Sequence, residues 1–110
     1  MAQRSEERIA TTPVLIGVTG MGNLRKLRTT GLVLDASNHG LRIVVKELIP
    51  VGSLLRLYIE GSKMTGEVRH CQKRTGGYAI GMEILVGASE LARLLENAEQ
   101  PVSAKSGRSS

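Results

Sequence analysis

The chain has 110 residues, a net charge of +5 and 41% hydrophobic residues, which suits one domain with a single modest core. Because Phe and Trp are absent and Tyr58 and Tyr78 are the only aromatic residues, that core must be aliphatic. The positive charge is compatible with an anionic partner and equally with a role in solubility alone. The lack of aromatic platforms argues against nucleic acid, since single-strand binders stack bases on such side chains.

The cysteine content and the N-terminus restrict the compartment and the chemistry. Cys71 is the only cysteine, so neither an intramolecular disulfide nor a thiolate cluster can form, and the histidines have no companions at metal-ligand spacing. The first residues are polar, without the apolar segment of a signal peptide. No apolar run is long enough to span a bilayer. We therefore expect a cytoplasmic protein without a metal, a cofactor or a membrane span.

Short apolar runs separated by turn residues predict a chain made mostly of strands. Residues 54–60 show it most clearly, with Leu55, Leu57 and Ile59 alternating with polar residues. Strands are predicted over 13–18, 31–35, 41–46, 54–60, 64–72 and 78–85, while 24–29 is either an edge strand or a loop. The spacing of 91, 94, 95 and 98 predicts a helix after Gly87, with Ser89 as its N-cap. This pattern favours a small antiparallel barrel or sandwich with one terminal helix.

A short polar turn between two apolar runs is the first candidate site. Its sequence, Asp35-Ala36-Ser37-Asn38-His39-Gly40, combines a carboxylate, a hydroxyl and a glycine. A carboxylate accepts two hydrogen bonds, a hydroxyl donates or accepts one, and glycine lets a ligand approach the backbone. Asp35 and Ser37 could instead simply close an Asx-type turn, and the motif alone leaves both interpretations open.

A pair of arginines four positions apart, Arg4 and Arg8, is the second candidate. Guanidinium groups bind phosphate or a guanine edge through paired hydrogen bonds and stay charged. They could equally be solvated charges beside Glu6 and Glu7. Neither motif indicates catalysis, because a serine and a histidine two positions apart in a turn do not orient a nucleophile and a base.

Taken together, these features resemble the PilZ domain, the bacterial receptor module for cyclic di-GMP. The likeness is carried by Arg4-xxx-Arg8 and Asp35-x-Ser37-xx-Gly40 in that order, with Leu41-Arg42-Ile43 directly after the turn. Gly52 after an Ile-Pro-Val turn and the segment from Gly77 to Ile84 add to it. The resemblance covers roughly residues 3–98.

The resemblance implies a fold and a role for each motif residue. It implies a six-stranded antiparallel β-barrel with a C-terminal α-helix, which we place over residues 12–99. The polar composition on either side predicts a flexible arm over 1–11 and a disordered tail over 100–110. Arg4 and Arg8 would bind phosphate oxygens and the guanine edge and stack on a base. Asp35 would accept hydrogen bonds from guanine and Ser37 would bond a ligand polar atom. Gly40 would allow close approach in a turn that needs an unusual backbone angle.

The resulting functional hypothesis is a receptor, not an enzyme. Cyclic di-GMP would bind between the arm and the turn, with Arg42 and His39 as possible secondary contacts and a downstream effector protein as partner. One alternative is a PilZ-like adaptor that binds proteins without nucleotide, against which the intact motifs count. Another is a basic barrel that binds RNA, which would show a steep dependence on salt.

Overall fold

The computed structural model describes the backbone of residues 9–105 and the side chains of residues 14–96. Its elements, in chain order, are β1 (Ile9–Gly20), a short 3-10 helix (Gly22–Leu24), β2 (Arg28–Ala36), β3 (Gly40–Val45), β4 (Leu54–Ile59), β5 (Ser62–Arg74), β6 (Gly77–Val86) and α1 (Ala88–Lys105). The predicted strands are all present, and the ambiguous residues 24–29 are divided between the 3-10 helix, a turn and the start of β2.

The strands form one closed barrel in the order β1-β2-β3-β6-β5-β4. Every neighbouring pair is antiparallel, including β1 with β4, which closes the barrel. Closure leaves no free edge along the sheet. The predicted fold class, a six-stranded antiparallel β-barrel with a C-terminal helix, is confirmed.

The barrel interior is aliphatic, as the composition requires. Alternation along β4 places Leu55, Leu57 and Ile59 inside, each at most 4% exposed. One continuous cluster fills the barrel and reaches α1, and its buried members are Ile16, Val18, Val33, Ala36, Leu41, Ile43, Val45, Ile49, Leu55, Leu57, Ile59, Met64, Val68, Ile80, Met82, Leu91 and Leu94. Two methionines fit this set because their flexible side chains fill irregular space.

Helix α1 packs on the barrel through its first two turns. Leu91 and Leu94 belong to the barrel core, and Leu95 packs against it. The helix begins at Ala88, and the Leu91 amide donates to the carbonyl of Gly87 at 3.0 Å. Ser89 therefore lies inside the first turn, and its prediction as the N-cap was wrong. The helix continues to Lys105, past the predicted boundary of the tail.

Strand β1 begins four residues earlier than the predicted start at 13, because its first residues pair with the end of β2. Ile9 is opposite Ala36 and Ala10 is opposite Asp35. Residues 1–8, with most of the predicted arm and both candidate arginines, lie outside the described residues. Within the described chain, no helix is long and apolar enough to cross a membrane.

Candidate functional site

The predicted motif turn joins β2 to β3. The amide of Ser37 donates to the carbonyl of Gly40 at 2.9 Å, which closes the turn, and Ser37 is completely buried. Asn38 and His39 are exposed at its tip. The carbonyl of His39 accepts from the amide of Ile84 at 2.8 Å, so the turn is also fixed to β6. A site built here is held by backbone hydrogen bonds on both sides.

Gly40 has a different structural role from the predicted one. It is the first residue of β3, and its φ is outside the left-handed region that favours glycine, so the expected unusual backbone angle was wrong. The requirement is one of space: a Cβ at Gly40 would collide with the carbonyl oxygen of Met82 on β6. Glycine here allows β3 and β6 to approach closely beneath the turn.

Asp35 and Arg42 form an ion pair beside the turn. They are cross-strand partners on β2 and β3, and a β-bulge between Val33 and Asp35 sets that register. One carboxylate oxygen, Oδ2, accepts from Nη2 of Arg42 at 2.6 Å and from Nε at 3.0 Å. The Asp35 side chain is only 14% exposed and that of Arg42 is 43% exposed. The carboxylate predicted to read guanine is therefore held by an arginine of the same protein.

A surface cleft of about 550 Å³ lies next to this pair. It follows the outer wall of the barrel across β3, β6 and β5. Its lining residues are Ser37, His39, Gly40, Leu41, Arg42, Arg69, His70, Gly81, Met82 and Glu83. Four residues predicted from the sequence thus share one cleft, while Asp35 adjoins it through its bonds to Arg42. Arg4 and Arg8 themselves lie outside the described residues.

Arg69 and His70 are lining residues that the sequence did not single out. A β-bulge between Val68 and His70 places two β5 residues against one step of β6, so both side chains are exposed. Arg69 donates to Oε1 of Glu83 at 2.9 Å and lies 3.6 Å from Glu67. One guanidinium with two acidic neighbours is therefore fixed at the cleft wall.

His70 and Gly81 form the floor of the cleft. They are cross-strand partners, and Gly81 is in turn the partner of Arg42 on β3. A Cβ at Gly81 would lie 2.5 Å from Nε2 of His70, so the imidazole lies directly over the glycine. The two-residue turn between Arg74 and Gly77 would have revealed this pairing, since counting back along both strands places 70 opposite 81.

The cleft combines guanidinium groups, carboxylates and an imidazole on one wall of the barrel. Arg42 and Arg69 supply N–H donors that already bond carboxylates, and His70 supplies a flat ring, while the completely buried Ser37 lies within the turn. Among the described residues, no group of three or more His, Cys, Asp or Glu side chains is arranged to hold a metal ion. These features define a small closed barrel with a polar cleft on its outer wall.

Comparison with known proteins gives this architecture a family. The family sequence model for the PilZ domain matches residues 2–98, and the chain therefore belongs to the PilZ domain family. No curated protein sequence matches the chain significantly.

Solved structures with the same fold are distant in sequence. The PilZ domain of YcgR from Escherichia coli, solved with c-di-GMP, is similar with a TM-score of 0.73 and 13% identity over 97% of this chain and 99% of that one. The larger YcgR structure in complex with c-di-GMP gives a TM-score of 0.70 and 16% identity over 94% of this chain and 49% of that one. Inhibitor of motility (MotI/DgrA) of Bacillus subtilis gives a TM-score of 0.68 and 15% identity over 96% of this chain and 54% of that one. At such identities these likenesses establish the fold alone.

Proposed function

We propose that this protein is a receptor for cyclic di-GMP, which binds in the cleft between the N-terminal arginines and the Asp35–Gly40 turn. The observation that carries the proposal is the cleft itself. The turn motif lines it together with two guanidinium groups and an imidazole. Solved complexes of the YcgR PilZ domain with c-di-GMP support the same ligand for this member of the family.

The ligand has two kinds of group that the cleft suits. Its phosphates would accept from Arg42 or Arg69, and a guanine edge offers O6 and N7 as acceptors for a guanidinium fork. A purine face would stack on the His70 imidazole, because base stacking on a flat side chain needs no special edge chemistry. Ser37 would complete the polar contacts from the turn.

Chain connectivity supports a contact between the arginine pair and this site. Arg8 directly precedes Ile9, and Ile9 is the cross-strand partner of Ala36, between Asp35 and Ser37. Arg8 is thus one covalent step from a residue fixed beside the motif turn. We propose that Arg8 and Arg4 contact the nucleotide from that side.

The proposed activity is reversible binding without catalysis, in the cytoplasm. Closing the arm over the nucleotide would change the surface next to the turn, and an effector protein would recognise that change. The identity of the effector would depend on surfaces outside the cleft.

One observation favours the alternative of a nucleotide-independent adaptor. The Asp35 carboxylate, the predicted acceptor for guanine, already accepts two hydrogen bonds from Arg42. A guanine base would have to share the Asp35 carboxylate with Arg42 or displace the Arg42 guanidinium from it. Measuring the affinity for cyclic di-GMP distinguishes a receptor in which guanine shares this carboxylate from an adaptor that needs no nucleotide.

Isothermal titration calorimetry with cyclic di-GMP tests the proposal. We expect saturable binding by the wild type and about 10- to 100-fold weaker binding by Arg8→Ala, because each charge-assisted hydrogen bond contributes about 1.5–3 kcal/mol. Ser37→Ala should weaken binding less, since it removes one neutral hydroxyl. The stoichiometry from the same titration gives the number of nucleotides bound.

Arg25→Ala is the matched control. Arg25 is an exposed arginine in the connection between β1 and β2, near the barrel end opposite the motif turn. The Arg25→Ala variant should bind cyclic di-GMP with the affinity of the wild type. Unchanged binding by Arg8→Ala would refute the assigned site, and no binding by the folded wild type would support the adaptor.

A further inference from the structure

The wall of the barrel opposite the cleft carries a cluster of cations. The order of the closed barrel sets β1 and β4 diametrically across from β3 and β6, where the cleft lies. We define the β1/β4 face by the outward side chains on β1, β2, β4 and the start of β5. These are Leu15, Thr19, Arg28, Thr30, Leu32, Arg56, Tyr58, Lys63 and Thr65.

The face is built from two adjacent rows that cross four strands. One row is Arg28, Thr19, Arg56 and Thr65, and the other is Thr30, Gly17, Tyr58 and Lys63. Neither row contains a carboxylate. Cations and hydroxyls, which alternate along the first row, are groups that proteins use to contact phosphate oxygens.

The positive charge of this face is not neutralised within the described part of the chain. The ion pairs seen there involve Arg42, Arg69 and Arg93, and none involves a cation of the β1/β4 face. Glu60, at the turn after β4, lines a small cavity with Glu90 and Arg93 instead. The cations of the β1/β4 face are therefore available to an external anion.

The hydroxyl of Tyr58 reports a positive local field. Burial, the largest single influence, acts to raise its pKa, yet hydrogen bonds from Thr19 and Arg56 and the charges of Arg56 and Lys63 together lower the pKa below its usual value. The ring packs over Gly17, where an added Cβ would lie 3.7 Å from the Cδ2 atom of Tyr58, and the Tyr58 side chain is 43% exposed.

Two leucines lie directly beside the cationic rows. Leu15 and Leu32 are cross-strand partners on β1 and β2, 68% and 41% exposed respectively. Each is two residues from a member of the second row on the same strand. Exposed leucines contribute nothing to contact with a phosphate backbone, but they would gain free energy by entering an apolar medium.

We propose that the β1/β4 face binds the surface of an anionic lipid bilayer. On a convex barrel wall, β1 forms the ridge and inserts Leu15, with Leu32 beside it. Arg28 and Arg56 flank the ridge on β2 and β4, where their long side chains reach lipid phosphates. Tyr58 suits the headgroup level because its ring is apolar and its hydroxyl is polar.

This site is separate from the proposed nucleotide cleft. The two faces are on opposite walls and share no lining residue. Variants of the β1/β4 face should therefore retain nucleotide binding in the calorimetric experiment, and failure of either proposal would leave the other unaffected.

Sedimentation with vesicles tests the membrane proposal on the full chain. Wild-type protein should bind phosphatidylcholine vesicles that contain about one quarter phosphatidylglycerol, and should bind pure phosphatidylcholine far less. Combined Arg28→Gln, Arg56→Gln and Lys63→Gln should weaken binding about 100-fold, since each cation near such a surface contributes about 1 kcal/mol, or about fivefold. Leu15→Ser with Leu32→Ser should weaken it about tenfold or more.

The control removes the same charge elsewhere. Lys46, Lys73 and Arg74 are exposed cations at the end of β3 and at the β5–β6 turn. Their combined change to Gln should weaken vesicle binding by less than fivefold. A loss of vesicle binding equal to that of the Arg28, Arg56 and Lys63 variant would refute the assigned face. Equal binding to neutral vesicles would also overturn the proposal, as would tight binding to an oligo-dT strand that is insensitive to the leucine changes.

Discussion

At the scale of single residues, Arg42 holds the Asp35 carboxylate beside the motif turn. Its Nε and Nη2 both donate to Oδ2, so this carboxylate oxygen is held between two charged donors. The half-exposed guanidinium also lines the cleft. Arg42 is thus placed both to position Asp35 and to line the cleft. The contribution of this ion pair to the stability of the fold can be measured separately from ligand binding.

A double-mutant cycle with Asp35→Asn and Arg42→Gln should show that the pair stabilises the fold. We expect a coupling free energy of about 1 kcal/mol in urea unfolding, at the upper end for surface pairs, because Asp35 is largely shielded from water. Glu90→Gln with Arg93→Gln is the control, since these side chains are 31% and 59% exposed, lie 3.9 Å apart and should couple by about 0.5 kcal/mol or less. Equal coupling in both cycles would contradict the positioning role.

At the scale of elements, the approach of β3 to β6 beneath the turn determines the shape of the cleft. Gly40 and Gly81 both lie at this junction and both line the cleft. One leaves room for the backbone of the neighbouring strand and the other for the ring of His70. The missing side chains let β3, β6 and the His70 ring lie close together, and this close approach determines the shape of the cleft.

Gly40→Ala should separate the two strands. The new methyl group would meet a backbone carbonyl, which cannot rotate away, and we expect a loss of about 1–3 kcal/mol in the free energy of unfolding. Gly17→Ala is the matched control in another strand, because its Cβ would have no contact closer than 3.6 Å. Its free energy should change by about 0.5 kcal/mol or less. Urea denaturation of both variants measures the difference, and equal losses would refute the steric explanation.

The sequence predicted the strands better than it predicted the cleft, and the bulges explain why. Along β4 the alternation is regular, so Leu55, Leu57 and Ile59 were correctly expected to share one face. A bulge breaks that period without a strong local signal, and the bulge on β5 exposes Arg69 and His70 together. The partnership of Arg42 with Asp35 likewise depends on the bulge in β2, which no spacing rule in the sequence shows.

At the scale of the whole molecule, the barrel and the helix share one core. Leu91 is 1% exposed and belongs to the same cluster as Ile16 on β1 and Met64 on β5. A chain this small buries a limited fraction of its apolar surface, so each buried leucine contributes a large part of the net stability. The helix is for this reason expected to unfold with the barrel in one step.

Leu91→Ala should lower the free energy of unfolding by about 2–5 kcal/mol, because it leaves a cavity where helix and barrel meet. Leu15→Ala is the matched control, since Leu15 is 68% exposed, and it should cost about 0.5 kcal/mol or less. Helical ellipticity and the fluorescence of Tyr58 and Tyr78, which lie on β4 and β6, should report the same midpoint in every variant. Earlier loss of ellipticity would mean that α1 detaches while the barrel remains folded, because only the ellipticity signal includes the helix.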